Sequence, residues 1–259
     1  MDLGIGGRHA IVCGSSRGLG RACAESLARE GVHVVLNGRD RERLDAAVAE
    51  LGARHDVDVR GVAADIDTVD GRAELLAACP DPDILVTNNA GPPPGAFTSQ
   101  SLADWHAALE SNMLAPLQLI AAVIDGMRSR RFGRIVNITS AMVKSPSSLM
   151  TLSVGARVGL TGVAKALSKE VVADNVTINN LLPERFDTDR QRYMAELAMT
   201  LGGIGWDEAR AQQIATIRAG RMGEPHELGD ACAYLCSAQA GFLSGQNLQL
   251  DGGSYEGLL

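Results

Sequence analysis

The residues best arranged for chemistry are Gly14, Ser15, Ser16, Arg17, Gly18, Leu19 and Gly20. They sit between an apolar strand-like run and a helix-like run. A nucleotide diphosphate is held by backbone N–H groups at a helix N-terminus, with no side chain in the way. Gly14 permits the tight turn, Gly18 lets the backbone approach the phosphates, and Gly20 lets the helix pack closely on the sheet. Ser16, Arg17 and Leu19 complete the loop. The same stretch also fits Gly-x-Ser-x-Gly, the nucleophile elbow of hydrolases. Against that reading, it follows the first strand, so no earlier strand loop can complete an oxyanion hole, and Gly20 is left without a purpose.

The second strand ends in Val34-Val35-Leu36-Asn37-Gly38-Arg39. An acidic side chain at this point would hold a ribose 2′-OH, but Gly38 occupies the place. Arg39 follows it, and Arg17 lies in the phosphate turn. Two guanidinium groups clamp a phosphate well. We therefore expect NADP(H), with NAD(H) less favoured. The competing reading is that both arginines are solvated surface charges.

These residues need a scaffold. Apolar strand-like runs at 9–13, 32–36, 58–63, 84–87, 134–138, 177–182 and 248–250 alternate with helical patterns at 19–30, 41–51, 102–129, 154–173, 193–201 and 206–218. Pro116 can kink or divide the 102–129 run. Continuous apolar strands between helices imply a parallel sheet covered on both faces. The expected fold is α/β: one Rossmann-type, doubly wound parallel sheet of about seven strands flanked by helices. Residues 1–259 form one domain, with a substrate lid at about 184–223 hinged at Gly202, Gly203 and Gly205.

The formal net charge of −7 offers no basic surface for nucleic acid. The basic residues are 21 Arg and three Lys, Lys144, Lys165 and Lys169. Five scattered cysteines do not form a disulfide framework. Cys232 and Cys236, four apart on a helix, read as packing residues, not metal ligands. No stretch of 18 apolar residues and no signal-peptide pattern is present. The expectation is a cytoplasmic protein with no membrane or nucleic-acid partner.

The Gly-x3-Gly-x-Gly spacing resembles that of the short-chain dehydrogenase/reductase family, and further landmarks follow in order over roughly residues 5–254. Asp65 follows the third strand, where the family contacts adenine. Asn88-Asn89-Ala90-Gly91 resembles the family's structural Asn-Asn-Ala-Gly. Asn112 and Ser140 stand where the family has its active-site asparagine and serine. Pro183 and Thr188 resemble the segment that covers the nicotinamide. The resemblance implies hydride transfer between a nicotinamide and a carbonyl or secondary alcohol. It also implies four catalytic residues, namely Asn, Ser, Tyr and Lys.

Two of the four are missing. Ser153 stands in the tyrosine's place and Arg157 in the lysine's. A subgroup resembling β-ketoacyl carrier-protein reductases departs in this way. Arg157 can still hold ribose hydroxyls, but the proton must come from elsewhere. The leading candidate is Lys144, in the loop four residues beyond Ser140 and expected near Arg157, and the second is Tyr193 in the lid. Loss of the pair also admits a catalytically silent dinucleotide-binding sensor or partner subunit. Glu184 after Pro183 and Cys13 before Gly14 are further departures. The substrate is expected to be a small carbonyl or alcohol walled by the lid and the 92–94 prolines. Arg185, Arg190 and Arg192 could meet an acidic group or simply face solvent. Gly155, Gly159 and Gly162 suit close helix contact, and a homotetramer or dimer is expected.

Overall fold

The computed structural model describes residues 2–258. Seven strands are present: β1 His9–Val12, β2 His33–Gly38, β3 Val59–Ala63, β4 Ile84–Thr87, β5 Gly133–Ile138, β6 Val176–Pro183 and β7 Asn247–Leu250. All pair in parallel, in the order β3-β2-β1-β4-β5-β6-β7. The chain reverses its direction of travel across the sheet between β1 and β4. The crevice at that switch point, beyond the strands' carboxyl ends, is where such sheets bind ligands.

The two-residue period of a strand divides the core. Ala10 and Val12 of β1 pack on one face with Cys23, Leu27, Leu44, Leu228 and Cys232. These come from α1 (Gly18–Arg29), α2 (Arg41–Arg54) and α9 (Pro225–Cys236). Cys232 and Cys236 are fully buried there, and burial among neighbouring thiols holds both well above the usual thiol range. Ile11 and Cys13 point to the other face with Leu75, Leu119, Ile120 and Ala164. Those come from α3 (Val69–Ala78), α5 (Ala115–Ser129) and α6 (Thr151–Val171).

The sequence pattern does not show α3, which buries only Gly71 and Leu75 and so carries almost no apolar stripe. The region 102–129 is neither one uniform helix nor two. It runs as α4 (Leu102–Leu109), a π turn (Glu110–Leu114) and then α5. Pro116 lacks an N–H and its ring crowds the carbonyl four residues earlier, that of Asn112. The wider π turn absorbs this clash without ending the helix. The run Leu102–Ser129 is long and apolar enough to cross a membrane by length and composition. Leu119, Ile120 and Met127 are nevertheless fully buried on the sheet, as in a core helix. The segment 184–223 holds α7 (Asp189–Gly202) and α8 (Trp206–Ala215), with Gly203 in the left-handed conformation at φ 65° between them.

Candidate active site

The phosphate turn is built from its neighbours. Ser15 is buried; its hydroxyl donates to the Val12 carbonyl at 2.6 Å and its backbone N–H to the Asn37 carbonyl at 2.7 Å. Gly14 has φ 54°, and a Cβ there would stand 2.8 Å from Asn88 Nδ2. A Cβ on Gly20 would stand 2.4 Å from the Gly14 carbonyl oxygen. Gly18 differs from both. It has φ 59°, and a Cβ there would meet only the Thr188 methyl at 3.9 Å. Its open side faces the gap between α1 and the start of the lid. Arg17, the residue before α1, makes no side-chain cap, and the first turn holds no acid. The first N–H groups of α1 are thus free to meet an anion. A cavity of about 440 Å³ begins at Arg17 and Gly18 and runs along α1 past Glu25 to Arg29, between Thr188 and Asp189 on one side and His226 on the other. These features fit a dinucleotide diphosphate.

Gly38 explains the missing acid. A Cβ at this position would lie 3.0 Å from both Cβ and Oγ of Ser16, so Ser16 takes the space a side chain would need. Arg17 and Arg39 are not poised together on an open site. Arg17 pairs with Asp189 at 2.9 Å and Arg39 with Asp65 at 3.8 Å. Both pairs are exposed, and such pairs contribute only about 0–1 kcal/mol, so an incoming phosphate can displace either carboxylate.

The four residues 88–91 join this cradle to the other candidates. Asn88 Nδ2 donates to the Gly14 carbonyl at 3.1 Å. Asn89 Nδ2 donates to Asp67 at 2.7 Å and to the Ser111 carbonyl at 3.1 Å. Burial raises the Asp67 carboxyl above its usual range, against the Asn89 hydrogen bond that lowers it. The Ala90 carbonyl accepts from Asn112 Nδ2 at 3.2 Å. Gly91 lies under the Arg157 guanidinium, with Nη1 3.1 Å from where a Cβ would be. Asn112 is buried inside the π turn, a helical irregularity common at functional sites. The missing N–H of Pro116 leaves its carbonyl without the usual helical partner.

Ser140 lies two residues beyond β5, and its Oγ accepts from the Met142 N–H at 3.2 Å. Pro183 is buried at the end of β6. Thr188 stands across from Gly18, its hydroxyl 3.3 Å from the Phe186 carbonyl. Ser153 is 1% exposed, and its hydroxyl accepts a hydrogen bond from Arg157. Burial and the charge of Arg190 lower the Arg157 pKa to about 10. The charge beside Arg157 is thus Arg190, where the sequence suggests Lys144. Lys144 is half-buried, with Nζ 5.5 Å from the Tyr255 ring centroid. Sequence reasoning misses this pairing, and nothing in the local pattern links a loop lysine to a tyrosine near the C-terminus. Tyr193 is 47% exposed on the lid, near Arg190. Glu184 bonds Arg185 at 3.1 Å, and burial raises its carboxyl above the usual range. Gly155 and Gly159 already take partners within the chain. A Cβ on them would stand 2.9 Å from Trp105 and 2.6 Å from Met113 respectively. Only Gly162 has open space.

A family model described as enoyl-(acyl carrier protein) reductase matches residues 14–255. The chain belongs to the short-chain dehydrogenase/reductase family. Within that family it is 32% identical over 257 residues to the 3-oxoacyl-[acyl-carrier-protein] reductase FabG of Escherichia coli, covering 96% of this chain and 98% of the relative. It is 28% identical over 256 residues to the NADPH-dependent reductase BacG of Bacillus subtilis, covering 97% and 99%. Among solved structures, L-sorbose reductase from Gluconobacter frateurii, complexed with NADPH and L-sorbose, superposes with a TM-score of 0.93 at 30% identity over the whole of both chains. The chain is an oxidoreductase by family, and its seven-stranded parallel sheet matches the fold of these relatives.

Proposed function

We infer that this protein is an NADP(H)-dependent oxidoreductase acting on a carbonyl or secondary alcohol, with a proton donor other than the family's tyrosine. The observation that carries this reading is the open face of Gly18 opposite Thr188, at the N-terminus of α1 and beyond the carboxyl end of β1. Relatives described as NADPH-dependent support the choice of coenzyme. The turn 14–20 and Thr188 would hold the diphosphate, Arg17 and Arg39 a 2′-phosphate, and Asp65 the adenine. Residues 89–91, Pro183 and Arg157 would hold the nicotinamide riboside. The bound coenzyme supplies or accepts the hydride.

The chain's own residues do the rest. Ser140 Oγ–H orients the carbonyl oxygen, and Asn112 positions a water. Ser153 is poorly placed to deliver a proton, because its hydroxyl is buried and bonded to Arg157. Lys144 carries protons at the rim of the cleft and is our assignment for the donor. It lies on the loop that leaves Ser140, with the Tyr255 ring face attracting its ammonium.

The same engagement of Ser153 and Arg157 favours one other reading, a coenzyme-binding sensor or partner subunit without turnover. Apolar side chains stand exposed on two sides. Leu102 and Leu114 lie along the 102–129 helical run, and Phe242 and Leu248 lie near the β7 edge. They suit a dimer or homotetramer, readable by light scattering, and the setting is cytoplasmic.

The deciding experiment is NADPH titration followed by NADPH oxidation with ketones, ketoesters and quinones. NADPH binding tighter than NADH with carbonyl turnover is the expected result. Tight binding without turnover favours the silent reading, and NADPH binding no better than NADH refutes the coenzyme assignment.

A further inference from the structure

Among the described residues, every arginine except Arg134, Arg157 and Arg190 has a carboxylate within 4.0 Å. Arg134 is structural. It is buried, donates to the carbonyls of Gly133, Asn175 and Ser237, and lies 4.4 Å from the Phe132 ring centroid. Arg157 and Arg190 are not satisfied in this way. Arg157 donates to the Ser153 hydroxyl. Arg190 donates to the Pro92 carbonyl at 3.1 Å and lies 5.8 Å from the Tyr193 ring centroid.

The two converge. Arg157 lies against Gly91 and Arg190 bonds to Pro92. One reaches this short loop from α6 and the other from α7, next to Ala90, whose carbonyl accepts from Asn112. Arg190 is the charge that, after burial, weakens the hold of Arg157 on its proton. Like charges held together in a partly desolvated place are unfavourable without a counter-ion. Ribose hydroxyls are neutral and leave both charges standing, and the diphosphate belongs at the other end of the cleft. Of the three lid arginines raised by the sequence, Arg185 pairs with Glu184 at 3.1 Å and Arg192 with Asp189 at 3.8 Å. Of the three, only Arg190 lacks a carboxylate partner.

We propose that the substrate supplies the missing charge as a carboxylate seated between Arg157 and Arg190 over Gly91–Pro92, so that the enzyme interconverts an oxo acid and a hydroxy acid. This rests on the oxidoreductase reading and names its substrate class. A planar carboxylate accepts two parallel N–H bonds from one guanidinium and keeps lone pairs for the second. In reduction, one oxo acid, one NADPH and one proton give one hydroxy acid and one NADP⁺. The hydride goes to the carbonyl carbon and the proton to its oxygen, and the carboxylate is unchanged.

Two measurements on the full-length protein test this. In the first, an oxo acid, its methyl ester and a phosphorylated ketone of similar size are compared as substrates with NADPH. The acid is expected to exceed the ester about 10- to 100-fold in kcat/KM, and Arg190→Ala to raise the KM for the acid by a similar factor, the range for losing a charged hydrogen bond. Arg190→Lys should recover part of the loss. In the second, NADP⁺-loaded protein is titrated calorimetrically with the hydroxy acid and its methyl ester, which requires no turnover. Tighter binding of the acid, lost in Arg190→Ala, is expected. Equal binding of acid and ester, or preference for the phosphate ester, overturns the carboxylate assignment; turnover of the ester would then leave the oxidoreductase reading intact. Failure to bind NADP(H) at all overturns both.

Discussion

Gly18→Ala separates coenzyme binding from folding. The added methyl meets nothing closer than the Thr188 methyl at 3.9 Å, so the protein alone bears only the strain of a side chain at φ 59°, about 1 kcal/mol. In a chain of this size that lowers Tm by roughly 2–4 °C. The same methyl projects to where the diphosphate must lie. With NADPH at 100 times its Kd, the unaltered protein gains about 2.7 kcal/mol, a rise of roughly 5–10 °C. If the methyl weakens binding 100-fold, the gain at that concentration falls to about 0.4 kcal/mol, roughly 1 °C. Gly20→Ala is the contrast. Its methyl would stand 2.4 Å from a backbone oxygen, so stability should fall by about 3 kcal/mol with or without NADPH. Thermal melts of both variants, with and without NADPH, read all four quantities. If Gly18→Ala were stabilised by NADPH as strongly as the parent, the diphosphate could not lie over residue 18.

Three further outcomes follow from the same geometry. Lys144→Met should abolish carbonyl turnover while leaving the NADPH titration within about twofold; undiminished turnover removes Lys144 from the chemistry. Arg157→Met strands the buried Ser153 hydroxyl, so adding Ser153→Ala should recover about 1 kcal/mol in thermal melts, and a double variant no more stable than the single would show that the two side chains are uncoupled. Glu227 is held at about 2 by Arg221 and the Glu224 N–H. Its folded-state pKa lies below its ordinary 4.5, so its contribution is full above that value and is lost as pH falls toward 2. Glu227→Gln should flatten the acid limb of a pH–stability curve between those limits, and an unaltered limb would contradict the assignment.

Much of this architecture is legible in the residues. The central strands β1 and β4 are near-continuous apolar runs because both faces of the sheet are covered there, and the turn after β1 announces itself through Gly14 and Gly20, whose positions have no room for a side chain. What is hidden depends on contacts between distant parts of the chain. α3 buries too little to print a period. The three lid arginines look alike in sequence, and only the fold gives Glu184 to Arg185 and Asp189 to Arg192 while leaving Arg190 uncommitted. The substitution at 153 is visible in sequence, but that its hydroxyl is enclosed and bonded to the substituted residue 157 is not. The glycines of α6 invite an intersubunit reading, yet two of the three are already filled by Trp105 and Met113.

Those two filled glycines have a consequence for the packing of α6. At positions 155 and 159 the absence of a side chain on α6 lets Trp105 of α4 and Met113 of the π turn pack directly against the helix that bears Arg157. A methyl group added at either glycine would act as a shim. It would press first on the Trp105 ring or the Met113 thioether, the side chains through which α6 rests on the segment that carries Asn112.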